Sequence, residues 1–318
     1  MKKRVSVILP VYNEADGILA FHRALSAVLE TLEDRYEFEI LYVVDKCRDD
    51  SLSILKKLAE ISRGVRVLGL SRRFGHQMSL VAGIDACTGD AAIMMDSDME
   101  HPPELIPKLL EKYEQGYDVV HTIRSYNRKT SILKQLPSKL FYKFLNLLSQ
   151  EKFSEDAADY RLISLKVIEV FKRDIREHNQ FLRGLFKWVG FEQAEVPFVS
   201  GVRHAGVSKY TFKRLVKFAA QGIVSFSKLP LQLSVVLGTV FAIAGVIYGI
   251  FNICMYFFST NLPEGWTTIV TLLLFMGGLQ LIILGVIGEY ISAIFDEVKD
   301  RPLYVVEHRY GYDDAERS

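Results

Sequence analysis

Apolar and polar positions follow two rhythms along the first two thirds of the chain. Runs rich in apolar and β-branched residues, at Arg4–Val11, Phe38–Val44, Val65–Leu70, Ala91–Met95 and Val119–Ile123, predict strands. Between them, Ile18–Leu32 sets Leu25, Val28, Leu29 and Leu32 at helical spacing, and Asp50–Ile61 does the same with Leu52, Leu55 and Leu58. Gln77–Ala86 and Pro103–Tyr113 predict two more helices. Strands apolar on both faces, separated by amphipathic helices, point to an α/β fold with a mostly parallel sheet covered on both sides. Ligands of such sheets bind beyond the carboxyl ends of the strands, so the residues after each strand are the ones that matter.

A third pattern takes over late in the chain. Between Leu229 and Phe295 the only charged residues are Glu264 and Glu289. Two apolar spans result, Leu231–Phe258 and Thr267–Phe295, each longer than the roughly 20 residues that cross a bilayer core. The link Ser259–Thr267 has no Lys or Arg. Lys209, Lys213, Arg214, Lys217 and Lys228 precede the first span, and Lys299 and Arg301 follow the second. The positive-inside rule therefore expects both chain ends and the soluble domain in the cytoplasm, with the hairpin in the inner (cell) membrane. Gly238, Ala242, Gly245 and Gly249 form a small-residue stripe that admits a close helix, either the second span or another copy of the chain. Glu289, near the cytoplasmic end, can snorkel toward water.

Just before the spans, Phe212, Leu215, Val216, Ala219, Ile223 and Phe226 share one helical face opposite Lys213, Arg214 and Lys217. This is the pattern of an amphipathic helix lying in a membrane interface. Pro137–Leu148, with Leu140, Phe141, Phe144, Leu147 and Leu148 against Lys139 and Lys143, is a second amphipathic stretch that fits an interface or a core equally well. The expected division is a soluble domain at 1–208, the juxtamembrane helix at 209–229, two spans at 230–296 and a cytoplasmic tail at 297–318.

Charge and cysteine content narrow the function classes. The 39 Lys and Arg against 38 Asp and Glu leave a net charge of +1, which offers no excess to neutralise a phosphate backbone and argues against nucleic acid as a partner. Cys47, Cys87 and Cys254 form no CxxC pair, which fits a reducing compartment. The opening MKKRVSVILPVYNE has an apolar run too short for a signal sequence and reads as a strand.

Candidate chemistry lies at the strand ends. Asp96-Ser97-Asp98-Met99-Glu100-His101 follows the Ala91–Met95 strand and precedes a helix started by proline. Two carboxylates in one turn repel each other unless a cation joins them. Hard oxygen ligands with open positions suit Mg²⁺ or Mn²⁺ chelated by a diphosphate, with Asp96 and Asp98 as ligands and Glu100 as a third oxygen. Arg124, Arg128, Arg161, Arg203 and Lys209 are the cations available to anchor an anionic acceptor.

PVYNE at 10–14, SRRFGHQMSLVAGIDACTGD at 71–90, DSDMEHPPE at 96–104, DAADYRL at 156–162, FLRGLFKWVGF at 181–191 and GVSKY at 206–210 carry a resemblance. Together these runs, from residue 4 to about 230, resemble family 2 glycosyltransferases of the polyprenyl-phosphate type. That group includes dolichol-phosphate mannose synthases and, more similar still, bacterial GtrB-type undecaprenyl-phosphate glucosyltransferases. The resemblance implies a GT-A fold, a nucleotide-sugar donor (UDP-glucose favoured), a polyprenyl phosphate acceptor, a divalent metal and inversion at the anomeric carbon. It also implies donor contacts at Pro10, Tyr12, Glu14, Asp45 and Asp96, with Asp156 as acceptor-side base or electrostatic organiser and Asp159 in a structural role. Catalysis is expected to involve Asp156, Asp98 and Arg161.

Two departures qualify the resemblance. The family usually shows Val-Asp-Asp-Gly-Ser after its second strand, whereas here the run is Val43-Val44-Asp45-Lys46-Cys47, which leaves Asp45 alone to hold base or ribose. Nor is there a Gln-x-x-Arg-Trp run, since Trp188 and Trp266 follow Lys187 and Gly265, which argues against a polymer-extruding synthase. Other donors, GDP-mannose or UDP-GlcNAc, fit the same motifs. A membrane scaffold with weak catalysis is the rival of a different class, and a transporter built on two spans has little pathway. A homo-oligomer is the expected assembly.

Overall fold

The structure, a computed structural model, describes residues 2–124, 157–178, 180–199, 229–258 and 265–312. In chain order the elements are β1 (Lys3–Val11), α1 (Ile18–Glu30), β2 (Tyr36–Val44), α2 (Ser51–Ile61), β3 (Val65–Leu70), α3 (His76–Ala86), β4 (Ala91–Met94), a 3₁₀ turn (Pro103–Leu105), α4 (Ile106–Glu114) and β5 (Val119–Arg124). They continue with β6 (Ala157–Ser164), α5 (Leu165–Arg173), α6 (Leu182–Trp188), β7 (Gln193–Phe198), α7 (Leu229–Phe258), α8 (Trp266–Val298) and β8 (Val306–Tyr310). The elements expected from periodicity up to β5 all form, with ends shifted by a residue or two.

The strands make one sheet in the order β7-β5-β6-β4-β1-β2-β3-β8. β1 is parallel to both β2 and β4, and β3 is parallel to β2. β6 runs antiparallel to β4 and β5, and β8 antiparallel to β3, so the sheet is mixed rather than parallel throughout. β1 sits near the middle, which is why every residue from Val5 to Val11 is buried. Val5, Val7, Leu9 and Val11 pack with Ile18, Phe21, Leu25, Leu55 and Leu109 in one layer. Ile8 points the other way, into a layer with Leu80, Ile84, Phe171 and Phe186. The strand period of two thus feeds two helix layers from one apolar run. Gly83 lets α3 lie directly on β1, because a Cβ there would stand 2.2 Å from Ile8 Cγ2.

At the end of the sheet away from the strand tips, Glu39 is 5 % exposed yet well satisfied. It accepts from Ser6 Oγ, from Thr88 N–H and Oγ1, and lies 3.4 Å from Arg66. A buried carboxylate of this kind is tolerable only with such a full set of donors.

Two stretches, Leu229–Phe251 and Phe275–Val298, have mean hydropathies of 2.2 and 1.8 and are long enough to cross a membrane. Their side chains face outward, with Val246 63 % and Leu281 70 % exposed. So large an apolar surface is expected to be covered by lipid or protein. The two helices meet where Phe241 approaches Phe275 at 5.8 Å between ring centroids. Among the described residues no atom comes within 4 Å of a Cβ built at Gly238, Gly245 or Gly249.

The end of α8 is tied to the sheet domain. His178 donates its backbone N–H to Glu297 Oε1 at 2.8 Å, while its ring Nδ1 lies 3.1 Å from Glu297 Oε2 and its Nε2 2.6 Å from Arg301 O. Both ring nitrogens face acceptors, as in an imidazolium. Next along the chain, Tyr304 donates to Asp85 Oδ2 at 2.7 Å, and Arg176 grips both oxygens of the same Asp85. Ser71 N–H then donates to Val305 O at 2.9 Å, and β8 joins the edge of β3. Within the segment 297–318, expected as a cytoplasmic tail, Val306–Tyr310 is a strand of the sheet.

The hydrogen bond to Glu297 raises the His178 pKa above its ordinary value. A raised folded pKa means that this latch contributes fully below the unfolded value of about 6.5 and is lost as pH rises through the higher folded value. The melting-temperature gap between the full chain and His178→Ala, measured in nanodiscs, should therefore be widest in mild acid and close under alkaline conditions. A gap independent of pH would remove the charged latch.

Candidate active site

The carboxyl ends of β1, β2, β3 and β4 lie side by side in the sheet, and the loops after them are laced together. Asn13 N–H donates to Cys47 Sγ at 3.3 Å, and Arg48 N–H returns a bond to Asn13 Oδ1 at 2.8 Å. Glu14 N–H donates to Ser51 Oγ and Ala15 N–H to Asp49 Oδ2, each at 3.0 Å. Lys46 and Cys47, where a Gly-Ser turn was expected, thus belong to a loop held by side-chain acceptors. Asn13 adopts φ 57°, a left-handed conformation that asparagine tolerates better than most residues.

Asp45 is only 3 % exposed. Its Oδ1 accepts from Phe74 N–H at 2.8 Å and its Oδ2 from Gly75 N–H at 2.9 Å, so this acid shapes the loop from β3 to α3. That loop brings the Arg73 guanidinium to 4.1 Å from the centre of the Tyr12 ring. It also brings His76 to Asp96, with Nε2 at 2.7 Å from Oδ1.

The turn after β4 is built around its own carboxylates. Ser97 Oγ donates to Pro10 O at 3.2 Å, which joins the turn to the end of β1. Asp98 Oδ1 accepts from Glu100 N–H at 3.0 Å, a side-chain turn that leaves Met99 at φ 67°. Glu100 Oε2 lies 3.3 Å from Arg124 Nη2, so an acid expected at the metal and a cation expected at the acceptor meet each other. His101 is fully buried, stacked 5.2 Å from Tyr160, and its Nδ1 accepts from Asp96 N–H at 2.8 Å. That bond and the burial, which lowers its pKa, make His101 neutral, so its 3.6 Å approach to Asp96 Oδ2 is not an ion pair.

Charges at this edge are matched rather than isolated. Burial opposes ionisation of Asp96, but the charge of His76 and its hydrogen bond hold the carboxyl below the ordinary range. Burial likewise disfavours the charge on His76, yet Asp96 outweighs it and raises the imidazole to about 9. Asp159 is kept ionised against burial by Arg183, which forks onto its two oxygens at 2.8 and 2.9 Å.

Arg161, expected to be catalytic and among the cations facing an acceptor, is instead interior. It is 2 % exposed, donates to Ala158 O at 3.0 Å, lies 3.3 Å from Asp159 Oδ1, and stacks 4.7 Å over Phe186. Burial pulls its pKa down to about 10 although Asp159 opposes this. In β6 it pairs with Met94 of β4. Asp156, Arg128, Arg203 and Lys209 lie outside the described residues, as do Phe212–Phe226 and Pro137–Leu148.

Among the described residues no three His, Cys, Asp or Glu side chains form a cage that could hold a metal. The donor set at Asp96 and Asp98 is nonetheless of hard oxygens, the chemistry that Mg²⁺ or Mn²⁺ takes from one or two carboxylates when a phosphate supplies the rest. His76, His101, Arg73 and Arg183 were not singled out from the sequence, although all four stand in or beside the motif runs at 71–90, 96–104 and 181–191.

Residues 6–171 match the family described as Glycosyl transferase family 2, and residues 229–294 match the GtrB C-terminal hairpin. The glycosyltransferase YkcC of Bacillus subtilis is 37 % identical over 306 residues, covering 96 % of this chain and 94 % of that one. The SfII prophage-derived bactoprenol glucosyl transferase of Shigella flexneri is 36 % identical over 304 residues, covering 96 % of this chain and 97 % of its own. Among solved structures, glucosyl-3-phosphoglycerate synthase from Mycobacterium tuberculosis, crystallised with Mn²⁺, UDP-glucose and phosphoglyceric acid, is similar at a TM-score of 0.48 and 17 % identity, over 70 % of this chain and 78 % of that one. With identities at this level over nearly the whole of both relatives, the chain belongs to glycosyl transferase family 2 and carries a C-terminal hairpin of the GtrB kind.

Proposed function

We propose that this chain is an inverting glycosyltransferase that moves glucose from UDP-glucose to a polyprenyl phosphate at a membrane surface. The observation that carries the reading is the Asp96–Asp98 turn at the carboxyl edge of a sheet whose own edge strand continues from an apolar helix pair. The bactoprenol glucosyl transferases among its relatives supply the acceptor and the sugar. The charge distribution around the hairpin supports a cytoplasmic catalytic domain with both ends on that side of the inner membrane.

On this reading Asp96 and Asp98 would hold Mg²⁺ or Mn²⁺, which would supply neutralisation of the charge on a diphosphate leaving group. Pro10, Tyr12, Glu14 and Asp45 frame the nucleoside, Asp45 through the loop it braces. The acceptor phosphate has a second pKa near ~6, so it is largely dianionic at neutral pH and needs anchoring more than deprotonation. Arg124, Arg128, Arg203 and Lys209 are the proposed anchors, and Asp156 organises the acceptor side. The basic amphipathic segment at Phe212–Phe226 would seat this edge against the headgroups, so that the lipid phosphate arrives without leaving the interface.

Asp98→Asn tests the metal ligand without removing the turn, since an amide oxygen can still accept from Glu100 N–H. Transfer should fall at least about a hundredfold, because several kcal/mol of charge stabilisation is lost. The melting temperature should change little, the one affected hydrogen bond being worth about 1 kcal/mol. Near-normal turnover in metal-buffered assays would contradict the role. The substrate reading is tested by mass spectrometry of lipid extracted after membranes holding the protein are incubated with Mg²⁺ and a panel of nucleotide sugars. A hexosyl polyprenyl phosphate formed from UDP-glucose is expected. Product only from GDP-mannose or UDP-GlcNAc would reassign the donor, and none at all would favour a scaffold.

A further inference from the structure

A cavity of about 330 Å³ opens between the residues that follow β2, the first turns of α2, and the strand that returns from the membrane. Asp45, Lys46 and Cys47 form one wall, Lys56 the second, and Glu307 and Tyr310 of β8 the third. Its position and chemistry fit one kind of occupant. Along the sheet, β2 lies two strands from β4, which at the usual strand spacing separates the cavity from Asp96 by about 10 Å. A nucleoside bridges that span when its diphosphate lies at Asp96 and Asp98. Carboxylates that accept, ammonium groups that donate and one aromatic face suit the edge of a planar heterocycle. A polyprenyl chain would need an apolar trough instead.

Glu307 Oε2 lies 2.7 Å from Lys46 Nζ, in a pair whose side chains are 54 % and 39 % exposed on the Lys and Glu sides. Ion pairs as open as this stabilise a fold very little. What the pair does is fix where Lys46 points, next to Asp45 and across the cavity mouth. The Lys56 ammonium is held over the Tyr310 ring at 5.4 Å, so β8 orients the second cation too. We propose that the strand returning from the membrane is the outer wall of the nucleobase subsite, and that Glu307, acting through Lys46, is a specificity-determining positioning residue for the donor. This rests on the donor-diphosphate reading of the Asp96–Asp98 turn and adds to it a part of the chain that lies beyond the hairpin.

Pyrophosphate separates this claim from the reading beneath it, because it carries the diphosphate and no base. Calorimetric titration of the full chain in detergent, with Mg²⁺ present, should show UDP binding more tightly than pyrophosphate. Glu307→Gln should weaken UDP about tenfold, the cost of losing one charge-assisted contact, and leave pyrophosphate within about twofold. Lys46→Met should behave the same way. Cys47 gives a second readout that needs neither variant. In a Cys254→Ala background UDP, but not pyrophosphate, should slow alkylation of Cys47 by N-ethylmaleimide, and if Glu307→Gln fails to fold this protection decides alone. Equal loss of both ligands, no loss of either, or Cys47 reacting at the same rate with UDP would overturn the proposal. Wild-type protein that binds pyrophosphate as well as UDP would overturn it while leaving the diphosphate site standing. Wild-type protein that binds neither would overturn both.

Discussion

A carboxylate at the tip of a buried strand must be met by donors or cations, and the way the charge of Asp96 is met organises this end of the molecule. Its backbone N–H is taken by the ring of neutral His101, which stacks on Tyr160, itself anchored by its hydroxyl to Pro102 O. Its side chain draws His76 from the start of α3. His76 can reach it only because Asp45 holds the preceding loop by the backbone N–H groups of Phe74 and Gly75. Four strand ends are thereby fixed relative to one acid, and an anionic turn is assembled before any ligand arrives. Preorganisation of this sort is what makes a charged site effective, because nothing has to be rearranged during the reaction.

The same edge is continuous with the membrane hairpin. From the end of α8 the chain passes His178, then Asp85, then Ser71, and finally pairs with β3, so each step of the return adds a hydrogen bond to the sheet domain. Ser71 begins the very loop that Asp45 closes. The far end of the hairpin is thus joined to the sheet domain through a short, mostly polar strap.

Much of the fold was legible because its first half is written in clean periods. Val7–Val11 and Ile40–Val44 are uninterrupted apolar runs, and Leu25, Leu29, Leu55 and Leu58 mark the helices that cover them. β6 was not legible as a strand of known direction, because Asp159, Tyr160 and Arg161 break its apolar run, and Asp159 and Tyr160 find Arg183 and Pro102 O far away in sequence. β8, Val-Glu-His-Arg-Tyr, looks like a solvated tail until an edge of β3 is offered to it. The aspartates of the β4 turn could be found from position alone. The partners of the acids at this edge could not, since His76, which meets Asp96, and Arg183, which meets Asp159, come from separate helices and nothing in local spacing announces which acid each will meet. Arg161 shows the converse, a cation whose neighbours in sequence suggested a ligand and whose neighbours in space among the described residues are a carbonyl, an acid and a phenyl ring.

The central claim, that the turn after β4 receives a divalent cation together with the donor diphosphate, is tested most directly by anomalous diffraction at the manganese edge. Crystals of the full chain grown in lipid and soaked with Mn²⁺ and UDP-glucose should show a single strong anomalous peak in contact with Asp98 and the diphosphate oxygens. A diphosphate bound with no peak at that turn, or a peak at a site remote from Asp96 and Asp98, would contradict the account.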